Sequence, residues 1–235
     1  QQKLARFLGY RKEGDIDITQ RFMRDYFLHA TNIYNFSGII FKRCIELEKP
    51  YIAKVISSLT QKDLGHGFLL KESELYYKEE IEKSLSTNPK LLLTAFEICN
   101  EKSLELSPQL KRQIRLNLKL LNNKFVRSAP VREMLFKIFG HPNSEKILRQ
   151  MHEVGVLGKI LPHFGEINCL VRYDNYRRYT TDEHSIRMVR FLEELDSTEG
   201  KELAELSSIY KNTNSKDILK LTALAHSIAT VSTEE

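Results

Sequence analysis

Helix-start signals recur along this chain, each followed by apolar residues at three- and four-residue steps, and a chain punctuated in this way is restricted to an all-α fold. Asp17 with Gln20 three places on has the form of a capping box, and Phe22, Tyr26, Ala30, Ile33 and Ser37 follow at helical spacing. The pattern predicts a long first helix to about Lys49, after which Pro50 kinks the segment or opens a new helix through Ile52, Val55 and Leu59. Asn88-Pro89 and Ser107-Pro108 each pair a capping side chain with proline in the first turn, where a missing N–H costs nothing. Ser128 with Pro130, and Asn143 or Ser144 after Pro142, open two more helices. Thr180 with Glu183 forms another box leading into Ile186, Val189 and Leu192, and Ser215 precedes Ile218, Leu221, Ala225 and Ile228. Gly155, Gly158, Pro162 and Gly165 cut the stretch between into short pieces. About ten helices in a bundle-like arrangement are expected. The one interruption is Gly65-His66-Gly67, after which Phe68-Leu69-Leu70 and Leu75-Tyr76-Tyr77 flank Glu72-Ser73-Glu74 as a small β-hairpin over 68–77.

A chain of 235 residues, 41% hydrophobic with only 10 Gly and 6 Pro, can bury a core, which excludes collagenous and largely disordered classes. No apolar run approaches the roughly 18 residues that cross a bilayer, and Gln1-Gln2-Lys3 opens no signal-peptide core. A cytoplasmic setting without a membrane partner is therefore expected. Cys44, Cys99 and Cys169 are odd in number and far apart, so neither a disulfide framework nor a Cys-x-x-Cys zinc site fits, and all three read as buried thiols. The first residue is not Met, and Ser232-Thr233-Glu234-Glu235 stops just after a helical run, so the chain reads as a piece of a longer polypeptide. A polar, aromatic segment replaces the glycine-punctuated one near Gly165 to Asp174. This predicts an all-α domain over 1–165 and the opening of a second helical unit over 166–235.

Three constellations could carry chemistry. Asp15-Ile16-Asp17 has the spacing of a two-metal carboxylate pair, but no phosphate-cradling loop precedes it, and capping by Asp17 explains the acids more simply. Lys111, Arg112, Arg115 and Lys119 share one side of a helix opened by Ser107, with Leu110, Ile114, Leu118 and Leu121 on another, and would attract phosphate or an acidic partner. Aromatic residues are not interleaved there, Phe125 apart, so a solvated face is expected and nucleic acid is not. The third is the polar run Tyr173 to Ser185. His184 falls in the first turn of its helix, and His226 lies beside the apolar stripe of the helix Leu219 to Ile228. Two imidazoles from neighbouring helices could converge on a metal, although a pair without a carboxylate makes a poor site.

Gln20-Arg21-Phe22-Met23-Arg24-Asp25-Tyr26-Phe27, then Met151 through Pro162, then Asp174 through Ser185 resemble, in order, the middle of the bacterial PII-protein uridylyltransferase/uridylyl-removing enzymes. Ala5 through Tyr10 and Gly67-Phe68-Leu69-Leu70 extend the resemblance to nearly the whole chain, and Tyr179 to His184, Tyr-Thr-x-Asp-Glu-His, is its most specific element. The resemblance implies a helical linker over 1–165, followed by the beginning of a metal-dependent HD phosphohydrolase domain. It also implies a flanking nucleotidyltransferase domain before the linker, C-terminal regulatory ACT domains in the same chain, and a PII-like signal protein as partner. His184 matches the first metal-binding histidine, and Leu224 to Ala229 matches the segment that carries the paired His-Asp; here Ser227 replaces the aspartate, and Arg177 stands where a histidine is usual. The family's later aspartate falls beyond Glu235. A hydroxyl supplies no anionic oxygen, so a degenerate site with no bound cofactor is expected. The alternatives are an active HD site holding Mg²⁺ or Mn²⁺, with Asp182 or Glu183 supplying the carboxylate, and a basic binding module built on Lys111 to Lys119.

Overall fold

The computed structural model describes residues 1–12, 16–48, 50, 61–171, 179–197 and 203–232. Asp15, Arg177 and the expected helix through Ile52, Val55 and Leu59 lie outside the described residues. The rest is mostly α-helical, as the periodicity requires, with thirteen α-helices and one four-stranded sheet among the described residues. The count exceeds the expected ten because glycine and proline divide the chain finely: four of the helices are only four or five residues long, at Glu82–Leu85, Asn123–Val126, Val156–Ile160 and Pro162–Glu166.

After a short α1 (Gln2–Phe7), α2 (Ile18–Glu48) runs for 31 residues. Its start is the expected box: the Thr19 N–H donates to Asp17 Oδ2 and the Asp17 N–H to Gln20 Oε1, each at 3.0 Å. The hairpin is part of a larger sheet. β1 (Lys62–Gly65), β2 (Phe68–Lys71) and β3 (Glu74–Tyr77) are antiparallel neighbours, and β4 (Glu105–Leu106) adds to β3 in parallel. The turn between β1 and β2 requires Gly67, where φ is +80° and an added Cβ would come within 2.3 Å of Ile81 Cγ2.

α3 (Glu82–Leu85) is followed by α4 (Pro89–Lys102), capped by Asn88, and α5 (Pro108–Leu116), capped by Ser107, both as the Asn-Pro and Ser-Pro signals predict. Then come α6 (Asn123–Val126), α7 (Ala129–Gly140), α8 (Ser144–Glu153), α9 (Val156–Ile160) and α10 (Pro162–Glu166). Gly158 and Gly165 bring α9 and α10 together: a Cβ on Gly158 would stand 3.1 Å from the Gly165 Cα. α11 (Thr181–Ser197), α12 (Ala204–Lys211) and α13 (Lys216–Ser232) complete the described chain.

One hydrophobic core runs from Phe68 through Phe96, Leu110, Met134 and Phe164 to Ile186 and Leu224, so α11 and α13 share it with the helices before them. Among the described residues it takes nothing from α1 or α2. Inside it the Gln150 side chain on α8 accepts from the Leu106 N–H at 2.7 Å and donates to the Leu104 carbonyl at 3.1 Å, tying the β4 edge to the helices. Replacing Gln150 with alanine would strand two backbone groups away from water, and is expected to lower the unfolding free energy by about 2 kcal/mol in urea titrations.

The cysteines separate. Cys99 and Cys169 are buried, but Cys44 is exposed, contrary to expectation, because it sits on the side of α2 that faces away from the core. Burial pushes the Cys99 thiol up to about 12 and the Cys169 thiol up to about 11, which leaves both as protonated, unreactive side chains.

Candidate functional site

The start of α11 is fixed by the turn before it. The Thr181 N–H and hydroxyl both donate to the Leu170 carbonyl, at 2.8 and 3.0 Å. That double tie turns Asp182 inward, 3% exposed, and leaves His184 one step round the helix, facing α13.

His184 and His226 lie side by side in the structure. Their ring centroids lie 5.2 Å apart, with an edge-on interplanar angle of 63°. His226 Nδ1 donates at 2.6 Å to the Ala223 carbonyl, which can only accept, and His226 Nε2 lies 3.1 Å from the buried Ser227 hydroxyl. Among the described residues, a divalent ion here would meet two imidazoles and a neutral hydroxyl oxygen, a donor set without the anionic oxygen that hard cations favour.

The neighbouring acids are committed elsewhere. Asp182 Oδ2 accepts from His152 Nε2 at 2.9 Å. Glu183 does not close the anticipated capping box; it accepts from Arg149 at 2.8 and 3.3 Å and from Arg187 at 2.6 Å. Arg187 in turn lies over the Tyr179 ring, 3.9 Å from its centroid. Among the described residues no group of three His, Cys, Asp or Glu side chains is placed to hold a metal ion.

Burial alone would raise the Asp182 pKa, but the hydrogen bond and charge of His152, with hydrogen bonding from the Thr180 side chain and the Cys169 backbone, together outweigh it and hold the carboxyl below its ordinary 3.8. A lowered folded-state value means that the unfolded chain binds more protons. The stability Asp182 contributes is therefore present above the ordinary carboxylate range and lost as pH falls through the depressed value. Asp182→Asn is expected to flatten that acid limb when urea midpoints are compared between pH 7 and pH 3.

The basic helix is shorter and less free than its sequence suggests. α5 ends at Leu116, and Lys119 falls in a separate 3₁₀ turn, Leu118–Leu120, so the four cations do not share one helical face. Lys111 and Arg115 both reach Glu153 on α8, at 2.7 and 3.4 Å, which leaves Arg112 and Lys119 as the solvated pair.

A buried ionic clamp between the helices escaped the sequence reading. Lys220 on α13, 3% exposed, donates to the His141 carbonyl at 2.6 Å and to Glu193 Oε1 at 2.9 Å. Glu193 on α11 also accepts from the Ser144 N–H at 2.7 Å and the Ser144 hydroxyl at 2.5 Å, so α8 is capped by a side chain 49 residues downstream and not by Asn143. Both residues occupy apolar positions of their helices, Glu193 in step with Ile186 and Val189, and Lys220 with Leu224 and Ser227. A charge on each of two such stripes was the available signal.

Comparison with known proteins bears on the whole arrangement. Residues 73–160 match the family described as the uridylyltransferase GlnD third domain. Over 97% of its length the chain is similar to enzymes named bifunctional uridylyltransferase/uridylyl-removing enzyme. Identity is 26% to the protein of Bradyrhizobium sp. strain ORS 278, 27% to that of Bradyrhizobium sp. strain BTAi1 and 27% to that of Zymomonas mobilis subsp. mobilis strain ATCC 31821. The chain spans 26%, 26% and 24% of these relatives, about a quarter of their length.

Proposed function

We propose, on the premise that this chain belongs to the family of bifunctional uridylyltransferase/uridylyl-removing enzymes, that it is their central helical region: an interdomain scaffold followed by the opening of a degenerate HD unit. The scaffold occupies 1–165 and the HD-like part 166–235. Its work is to hold a nucleotidyltransferase domain and C-terminal regulatory domains of the same polypeptide in register and to carry conformational signals between them, in an enzyme acting on a PII-like signal protein in nitrogen regulation. The observation that supports this reading is the pairing of His184 with His226 beside Ser227 in place of a carboxylate, with Asp182 and Glu183 held by His152, Arg149 and Arg187. The rigid packing that a scaffold needs is supplied by the core shared across both parts.

The test is release of UMP from uridylylated PII by the purified chain with Mn²⁺ or Mg²⁺. No turnover is expected, and turnover abolished by His184→Ala would reject the reading in favour of an active phosphohydrolase.

A further inference from the structure

α2 carries much of its apolar surface outward. At 100° per residue, Tyr26, Ile33, Phe36, Ile40, Phe41 and Cys44 fall within about half of the helix circumference, and they are exposed: Ile33 and Phe41 67% each, Phe36 63%. The opposite side is mixed. Phe27, Leu28, Thr31, Asn32, Tyr34 and Asn35 line a cavity of about 660 Å³ against α8 and the start of α11, and Lys42 bonds Glu74. An amphipathic helix ordinarily buries its apolar stripe, and here Ile33, Phe36, Ile40 and Phe41 are left exposed. α1, packed on α2 through the Tyr10–Phe22 edge contact that follows it, continues the exposed surface with Phe7, 85% exposed, and Leu8. A contiguous apolar surface on this scale marks an interface.

Two further observations say what covers it. Among the described residues, the core takes nothing from α1 or α2. The family match begins at residue 73 and is to a third domain, so both helices lie ahead of that domain, and three-quarters of the relatives' length is outside this chain. We propose that the outward face of α1 and α2 is the docking surface for the domain that precedes this third domain in the full-length protein. The outward apolar face of the two helices then packs, in the full-length protein, against that neighbour. This rests on the reading of the chain as the middle of a longer enzyme and names the surface through which the scaffold grips.

The exposed Cys44 thiol reports on the surface directly. Maleimide labelling of Cys44, read by peptide mass, is compared between the chain 1–235 and the full-length protein. Labelling is expected to be at least about tenfold slower in the full-length protein, and Ile33→Glu with Phe41→Glu is expected to restore the fast rate. Amide exchange over 18–48 gives the same comparison without substitution, and slows in the full-length protein if the face is covered. Equal labelling and equal exchange in the two proteins overturn the proposal. So does protection in the isolated chain that grows with concentration alongside a dimer mass, which would assign the face to a second copy. Uridylyl transfer by the same full-length sample separates the two readings: an active enzyme with a fully reactive Cys44 overturns the docking surface and leaves the scaffold function standing.

Discussion

Replacing Lys220 with alanine lowers the unfolding free energy by about 3–5 kcal/mol, the range for removing one partner of a buried ion pair. Lys220 is 3% exposed and the Glu193 side chain 12%, so the carboxylate left behind would stay in the core, with the Ser144 N–H and hydroxyl and a long bond from the Glu145 N–H to stabilise its charge. The His141 carbonyl, at the end of α7, would lose its donor in the same step. Urea titrations of the chain, which report a midpoint shift at constant slope, measure the loss. Lys220→Met with Glu193→Gln separates charge from packing. The methionine fills the same apolar channel, and the amide oxygen of the substituted side chain on α11 still accepts from Ser144, so most of the stability is expected to return. An alanine variant within about 0.5 kcal/mol of the parent would show that water reaches Glu193 and that the clamp does not hold α11 and α13 to α7 and α8.

The elements that follow from local chemistry are those legible in the sequence. The Asp17–Gln20 box, the Asn88-Pro89 and Ser107-Pro108 starts and the glycine breaks at 155 to 165 act over three or four residues, and each stands where its residues place it. What was not legible depends on residues far apart in the chain. The β1 and β4 strands have no alternating run of their own; β4 is two residues long and exists because Leu75 and Leu106 pair. Glu193 could not be seen as the cap of α8, nor Glu153 as the partner of Lys111 and Arg115, before the helices were docked. The periodicity of α2 specifies a helix, but period alone does not say which way a stripe faces, and Tyr26 and Ile33 face out. A helix whose apolar side is completed by another domain looks, in sequence, like one completed by its own.

Ser227→Asp carries the chemistry of the HD-like site to its sharpest outcome. Ser227 is 0% exposed, and an aspartate there would place a carboxylate beside His226 with no room for water. Without metal the variant is expected to be less stable than the parent by about 2–4 kcal/mol, the penalty for a poorly compensated buried charge. The same carboxylate supplies the anionic oxygen that the parent site lacks, next to two imidazoles whose ring centroids are 5.2 Å apart. Binding to the folded state alone stabilises it, by about 2.7 kcal/mol when the free ion is at a hundred times its dissociation constant. Millimolar Mn²⁺ is therefore expected to raise the thermal midpoint of Ser227→Asp toward that of the parent while leaving the parent's own midpoint unmoved. Adding His226→Ala to the variant should remove the metal response, because the imidazole that orients the ion is gone. A parent chain whose midpoint climbs with Mn²⁺, and stops climbing when His184 or His226 is replaced, would show that two imidazoles and an alcohol suffice, and the inactive-site reading would fall with it.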